Sequence, residues 1–168
     1  MRRKAKVCLI GATAVGKSSL VARYVSSIFS ERYKTTIGVK IETHAVSRGE
    51  QTLELVLWDM SGEDEFQNVQ PSYLRGASGY LLVIDGTRRE TCDVAVTLEA
   101  RVRETLGTVP FVAVVNKSDL TAAWDIRPGD LEELGKRGWS VVLASAKTGA
   151  GVEAAFDRLA DAILGRKS

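Results

Sequence analysis

One histidine, His44, serves the whole 168-residue chain. Neither a Ser-His-Asp triad nor a histidine-ligated metal therefore has material to work with. Cysteine is equally scarce. Cys8 falls in an apolar run and Cys92 near the start of a helical stretch, and two thiols so placed read as packing residues, with no disulfide framework or metal site. No apolar run approaches the roughly 20 residues of a membrane-spanning helix. The basic start Met1-Arg2-Arg3-Lys4 lacks the apolar stretch of a secretory signal, so a cytoplasmic protein is expected. There is no Met-Gly start for myristoylation, and the chain ends Leu164-Gly165-Arg166-Lys167-Ser168 without a cysteine for prenylation. Either a lipidated tail has been removed or the protein acts from solution without an anchor, and the second reading is preferred. A formal net charge of +2 gives no electrostatic reason to expect a nucleic-acid partner. A monomer is expected.

What the chain does contain is a regular alternation of strand-like and helix-like segments with no internal repeat. Apolar runs fall near Ala5 to Ile10, Val39 to Val46, Leu53 to Trp58, Tyr80 to Asp85, Phe111 to Val115 and Trp139 to Leu143. Several are almost continuously apolar, as a parallel sheet covered on both faces requires. Helical segments read from Lys17 to Ser27, Thr91 to Leu106, Pro128 to Arg137 and Val152 to Leu164. The last places Val152, Ala155, Phe156, Leu159, Ala160 and Ile163 on one face. Ser47-Arg48-Gly49-Glu50 reads as a hairpin turn. The pattern predicts one α/β domain over residues 1–168. Its core is a doubly wound, mostly parallel six-stranded sheet with one antiparallel edge pair, and its ligand lies outside the carboxyl ends of the strands.

The first of those strand ends carries Gly11-Ala12-Thr13-Ala14-Val15-Gly16-Lys17-Ser18, a G-x-x-x-x-G-K-[ST] pattern between a strand and a helix. Small residues let successive backbone N–H groups curl around an anion, and the following helix points its positive end at the same charge. Nucleotide contact is assigned to Thr13, Ala14, Val15, Gly16, Lys17, Ser18 and Ser19. Lys17 is expected to reach the β- and γ-phosphates, and Ser18 to hold Mg²⁺.

Base choice is written farther along. Asn116-Lys117-Ser118-Asp119 follows the fifth apolar run and matches N-K-x-D. The Asp119 carboxylate can accept hydrogen bonds from N1–H and the exocyclic amino group of guanine, whereas adenine offers no donors in that arrangement. A site built around those donors disfavours a base that leaves its polar groups unpaired. Ser145-Ala146-Lys147 follows the sixth run, where the Ala146 N–H can donate to guanine O6. The tripeptide is weak evidence alone and strong beside N-K-S-D.

On these motifs the chain resembles the Ras-like small GTPases over nearly all its length, and its closest resemblance is to the Rab-like branch. Tyr33-Lys34-Thr35-Thr36-Ile37-Gly38 is similar to switch I, and Trp58-Asp59-Met60-Ser61-Gly62-Glu63 to the D-x-x-G segment of switch II. The resemblance implies a phosphate-loop G domain that binds GTP and GDP with Mg²⁺. Thr36 would join Ser18 on the metal when the γ-phosphate is present, and Asp59 would hold it through water. Gly62 would offer its N–H to the γ-phosphate, and Phe29 would stack on the base. Lys17, Thr36, Gly62 and Glu63 would carry catalysis, Glu63 standing where the family has the glutamine that orients the attacking water. Thr13 replaces a glycine of the Ras branch close to the γ-phosphate. Ile41, Trp58 and Tyr73 fall where Rab-like proteins present an apolar surface to effectors, with Ile41 in place of the usual Phe. An exchange factor and an activating protein are implied as further partners. The implied activity is a switch that hydrolyses GTP, slowly without an activator. A module that holds GTP and scarcely hydrolyses it is the alternative, supported by Glu63 and Thr13. Asp119 argues against an ATPase or nucleotide kinase of the same loop class.

Asp119 is the only acceptor assigned to both guanine donors. Asp119→Asn is therefore expected to weaken GTP and GDP binding and to shift preference toward xanthine nucleotides, whose oxygen at position 2 pairs with an amide donor. Competition binding with both nucleotides checks this, and unchanged guanine affinity removes Asp119 from the site.

Overall fold

The computed structural model describes residues 2–26, 39–60 and 69–165. Six strands, β1 (Arg2–Gly11), β2 (Val39–Arg48), β3 (Gln51–Met60), β4 (Ala77–Asp85), β5 (Phe111–Asn116) and β6 (Val141–Leu143), form one sheet in the order β2-β3-β1-β4-β5-β6. β2 and β3 are antiparallel, and every other pair is parallel. The helices are α1 (Lys17–Ser26), α2 (Pro71–Leu74), α3 (Glu90–Leu106), α4 (Pro128–Lys136) and α5 (Val152–Ile163).

The almost continuous apolar character of β1 has a direct cause. Val7 and Leu9 point into a core shared with α1 and α5, while Cys8 and Ile10 point into a second core shared with α3 and α4. Alternating side chains are thus buried on both faces of the sheet. In the first core the Phe156 ring stacks on Tyr24 at 3.9 Å, and all six residues expected on the apolar face of α5 are buried. Both cysteines are packing residues. Burial pushes the Cys8 thiol up to about 12 and the Cys92 thiol up to about 11, away from thiolate chemistry.

Arg48 pairs with Gln51, leaving Gly49-Glu50 as a two-residue hairpin turn in which Gly49 takes a φ of 62°. The boundaries differ from the apolar pattern in informative places. β1 and β3 run on together from Arg2↔Thr52, because backbone pairing continues past the point where both faces are covered. β6 begins at Val141, two residues later than expected, after Trp139 has packed edge-on against Phe111 at 5.3 Å. Helix α2, opened by Pro71 in its first turn, and a 3-10 turn at Thr121–Ala123 were not legible in the apolar periodicity. Among the described residues no helix is long and apolar enough to cross a membrane.

Phe156 is 1% exposed and bridges α5 to α1. Phe156→Ala is expected to cost about 3–5 kcal/mol of stability, the transfer term plus the cavity left under Tyr24. Urea unfolding followed by circular dichroism measures it, and a loss below about 1 kcal/mol would show that this core repacks.

Candidate functional site

All five parallel strands end at the same sheet edge, and the motif loops start there. β1 stops at Gly11, where an added Cβ would lie 2.5 Å from the Val83 carbonyl oxygen, so only glycine lets the loop leave the sheet at this height. The chain then turns through left-handed backbone at Ala14 (φ 62°) and Gly16 (φ 101°). A side chain at Gly16 would collide with the Asn116 amide. α1 begins at Lys17, and its first helical bond runs from the Leu20 N–H to the Gly16 carbonyl at 3.0 Å. Lys17 is buried, and its Nζ donates to Gly11 O at 3.0 Å and Ala12 O at 3.2 Å, so the ammonium lies across the loop. Ser19 follows, half-buried, in the first turn of α1.

Ser18 Oγ donates to Asp59 Oδ2 at 2.5 Å. Asp59 sits near the end of β3 opposite Leu9 and is 1% exposed, and its other oxygen, Oδ1, has no hydrogen-bond partner among the described residues. Burial raises its pKa, and the Ser18 bond and the Lys17 and Lys40 charges offset that only in part. A buried carboxylate oxygen without a partner costs free energy. A hydroxyl and a carboxylate side by side are the hard oxygen donors that a partly hydrated Mg²⁺ takes. The residues present therefore fit that ion.

On the base side, Asn116 joins two motif loops. Its Nδ2 donates to Val15 O at 3.0 Å and its Oδ1 accepts from the Ala146 N–H at 3.2 Å. The N–H expected to face guanine O6 is thus directed at Asn116. Ser145 Oγ donates to Asp119 Oδ1 at 2.7 Å and accepts from the Thr148 N–H at 3.1 Å, which fixes the carboxylate assigned to base recognition. Arg23 of α1 donates through Nε to Ala146 O at 2.8 Å and through a second nitrogen to Lys147 O, tying the helix after the phosphate loop to the S-A-K loop. The Lys147 side chain is exposed.

A residue not anticipated from the motifs stands at the centre. Asp85 ends β4, paired in register with Asn116, and is 0% exposed. Lys117 Nζ reaches its Oδ2 at 2.8 Å and Arg88 Nε reaches the same oxygen at 3.0 Å, while Thr87 donates from its N–H and its hydroxyl to Oδ1. Burial acts to raise the Asp85 pKa, but the bonds from Lys117, Thr87 and Arg88 outweigh it and hold the carboxyl below its ordinary range. The cue in the sequence was an acid closing an apolar strand, with Thr87 and Arg88 just behind it.

These motifs and this sheet agree with the comparisons to known proteins. A family model described as "Ras family" matches residues 6–165. The "Ras-related protein Rab11A" of Lotus japonicus is 35% identical over 153 residues, covering 90% of this chain and 68% of that protein. The chain belongs to the Ras family. Within that family it sides with the Rab-like branch, and it is a GTP-binding small GTPase. The sheet order, with its antiparallel edge pair β2–β3, is the fold expected of such a protein.

Phe29, Thr36, Gly62 and Glu63 lie outside the described residues. Of the three residues assigned to an effector surface, Ile41 is 49% exposed and Trp58 is half-buried, with Lys6 Nζ 3.9 Å over its ring. Tyr73 is a correction. It is 2% exposed, and its hydroxyl donates to the Leu9 carbonyl at 3.3 Å and to that of Trp58. The short helix α2 turns its ring inward onto β1 and β3, so Tyr73 is a core residue.

The Asp85 contacts carry a stability consequence. A carboxylate whose folded pKa lies below its unfolded value of about 3.9 contributes stability above that value. That contribution is lost as pH falls through the folded pKa. Asp85→Asn is expected to cost about 2 kcal/mol at pH 7, less than the roughly 3–5 kcal/mol of a fully buried pair because Lys117 and Arg88 reach solvent. The gap to wild type should narrow as pH falls from the unfolded value of about 3.9 through the lower folded pKa. Urea titrations at pH 7 and across the acid range check it, and a gap that does not change with pH would mean the carboxylate charge is not what stabilises this corner.

Proposed function

We propose that this chain is a Mg²⁺-dependent switch that binds and hydrolyses GTP and signals to protein partners through its switch I and switch II segments. The observation that carries the reading is the placement of Lys17 and the Ser18–Asp59 pair on the same sheet edge as an Asp119 carboxylate oriented by Ser145. One end of that edge suits a triphosphate and a divalent cation, and the other suits guanine. Lys17 would neutralise charge on the β- and γ-phosphates, Ser18 would hold the metal with Asp59 holding it through water, and Asp119 would accept from the base. Mg²⁺, when bound, supplies charge neutralisation at the phosphoryl oxygens. The protein's own contribution is positioning and charge stabilisation, which dominate phosphoryl transfer. Thr36 and Gly62 close on the γ-phosphate and are released by hydrolysis, changing the surface offered to a partner. Ile41 and the exposed part of Trp58 form the apolar portion of that surface, and effectors, an exchange factor and an activating protein are its partners.

Hydrolysis is proposed to be slow. A carboxylate at Glu63 accepts a hydrogen bond from the attacking water better than an amide does, but it cannot donate to the transferring phosphoryl group and is repelled by the triphosphate. Thr13 further narrows the approach of an arginine supplied by an activating protein. The same two residues support the alternative, a module that holds GTP with negligible turnover.

The nucleotide carried by the purified protein tests base identity, and single-turnover hydrolysis of GTP with Mg²⁺ tests the reaction. Glu63→Ala is expected to slow that turnover by about 10²-fold. GTP affinity should be nearly unchanged, because the residue acts mainly in the transition state. Equal rates for wild type and variant remove Glu63 from catalysis, and no wild-type turnover with or without source-organism lysate favours the GTP-holding module.

A further inference from the structure

Two consecutive carbonyls of the phosphate loop are gripped from outside the loop. Arg88 Nη2 donates to Thr13 O at 2.6 Å, and Lys117 Nζ donates to Ala14 O at 3.2 Å. Both cations rest on one carboxylate oxygen, Asp85 Oδ2, at 3.0 Å and 2.8 Å. Arg88 is itself held in place, because its carbonyl accepts from Thr91 Oγ1 at 2.7 Å and from the Thr91 N–H at 3.0 Å, and Thr91 is buried at the start of α3. None of the nucleotide-binding motifs contains Asp85 or Arg88.

The geometry of a peptide gives this grip a consequence. In a trans peptide the C=O and the N–H that follows it point in opposite directions from one plane. Drawing the Thr13 carbonyl toward Arg88 turns the Ala14 N–H the other way, and drawing the Ala14 carbonyl toward Lys117 does the same for the Val15 N–H. An anion cradle is a set of successive N–H groups turned to one side. Ala14, which has φ 62° without being glycine, is held in a conformation that its side chain disfavours. The loop therefore needs an outside restraint at this residue.

We propose that Arg88, supported by Asp85, is a positioning residue that aims the loop N–H groups at the phosphates and so sets how slowly bound guanine nucleotide is released. The inference rests on the nucleotide reading of the site. Arg88 suits the task because its fork grips a carboxylate and a carbonyl together, which a lysine ammonium matches with neither the reach nor the fixed geometry.

The test is the dissociation rate of a fluorescent GDP analogue from the full chain with Mg²⁺, for wild type, Arg88→Ala and Arg88→Lys. It is paired with the same measurement on the inosine counterpart, whose base lacks the exocyclic amino group. Arg88→Ala is expected to speed release about tenfold, the scale of a hydrogen bond from a charged group that is partly open to solvent. The factor should be the same for the guanine and the inosine nucleotide, because the lost contact lies on the phosphate side. Arg88→Lys should fall between. A general loosening of the fold would also change the ratio between the two bases, and that result overturns the proposal. So does a wild type that retains GDP beside an Arg88→Ala that releases it no faster. A wild type that retains no guanine nucleotide overturns the reading of the site, and this inference falls with it.

Discussion

A charge with no exposed surface, the Asp85 carboxylate, organises the corner where β4 and β5 end. An isolated carboxylate at that depth is too costly to persist, so it must be paired and hydrogen-bonded. Lys117 and Arg88 supply the pairing, and Thr87 satisfies the second oxygen. Each cation is then committed to a fixed place and donates one further hydrogen bond to the phosphate loop. The left-handed backbone at Lys117 (φ 69°) belongs to the same arrangement, because it starts the N-K-S-D loop in the direction that brings the side chain back over Asp85. The pairing of one buried acid therefore connects three loops that are far apart in the chain.

Sheet register decides which residues can take part. Leu9 is paired with Asp59, Gly11 with Val83 and Asp85 with Asn116, so the three central loops leave the sheet at nearly one level. Asn116 can then reach both Val15 and Ala146, and Ser18 can reach Asp59. A slip in any one pairing would turn the side chains of that strand to the opposite face. The apolar residues on both faces that forbid such a slip are therefore also what holds the polar groups of the site within hydrogen-bond range.

Much of this was legible in the chain because the informative chemistry is contiguous. The phosphate loop, N-K-S-D and S-A-K each lie within a few residues of a strand end, and both the apolar runs and the 3.6-residue periodicity of α5 are strong. What escaped depends on non-local geometry. The part played by Asp85 rests on a lysine 32 positions away, and the backbone grip on Thr13 on an arginine 75 positions away, which no local pattern encodes. Tyr73 read as a surface residue because it falls where Rab-like proteins present an apolar surface to effectors. The ring direction is set by a four-residue helix whose carbonyl-seeking hydroxyl finds β1 and β3. The Ala146 N–H, too, donates to Asn116, 30 positions away, a contact that no local pattern encodes.

Two buried carboxylates at one sheet edge have opposite environments, and the contrast separates structure from chemistry. Asp85 accepts bonds on both oxygens, and its pKa is held low. Asp59, a few residues away across β1, accepts from Ser18 on one oxygen, has no partner for the other among the described residues, and has its pKa raised by burial. The first is complete within the chain and acts as a tie. The second is left unsatisfied at a point where an added positive charge would both supply the missing partner and reverse the direction of the shift. The fold thus completes one acid and leaves its neighbour short of a partner, and the polar contacts radiating from Asp85 tie the phosphate loop beside it in place.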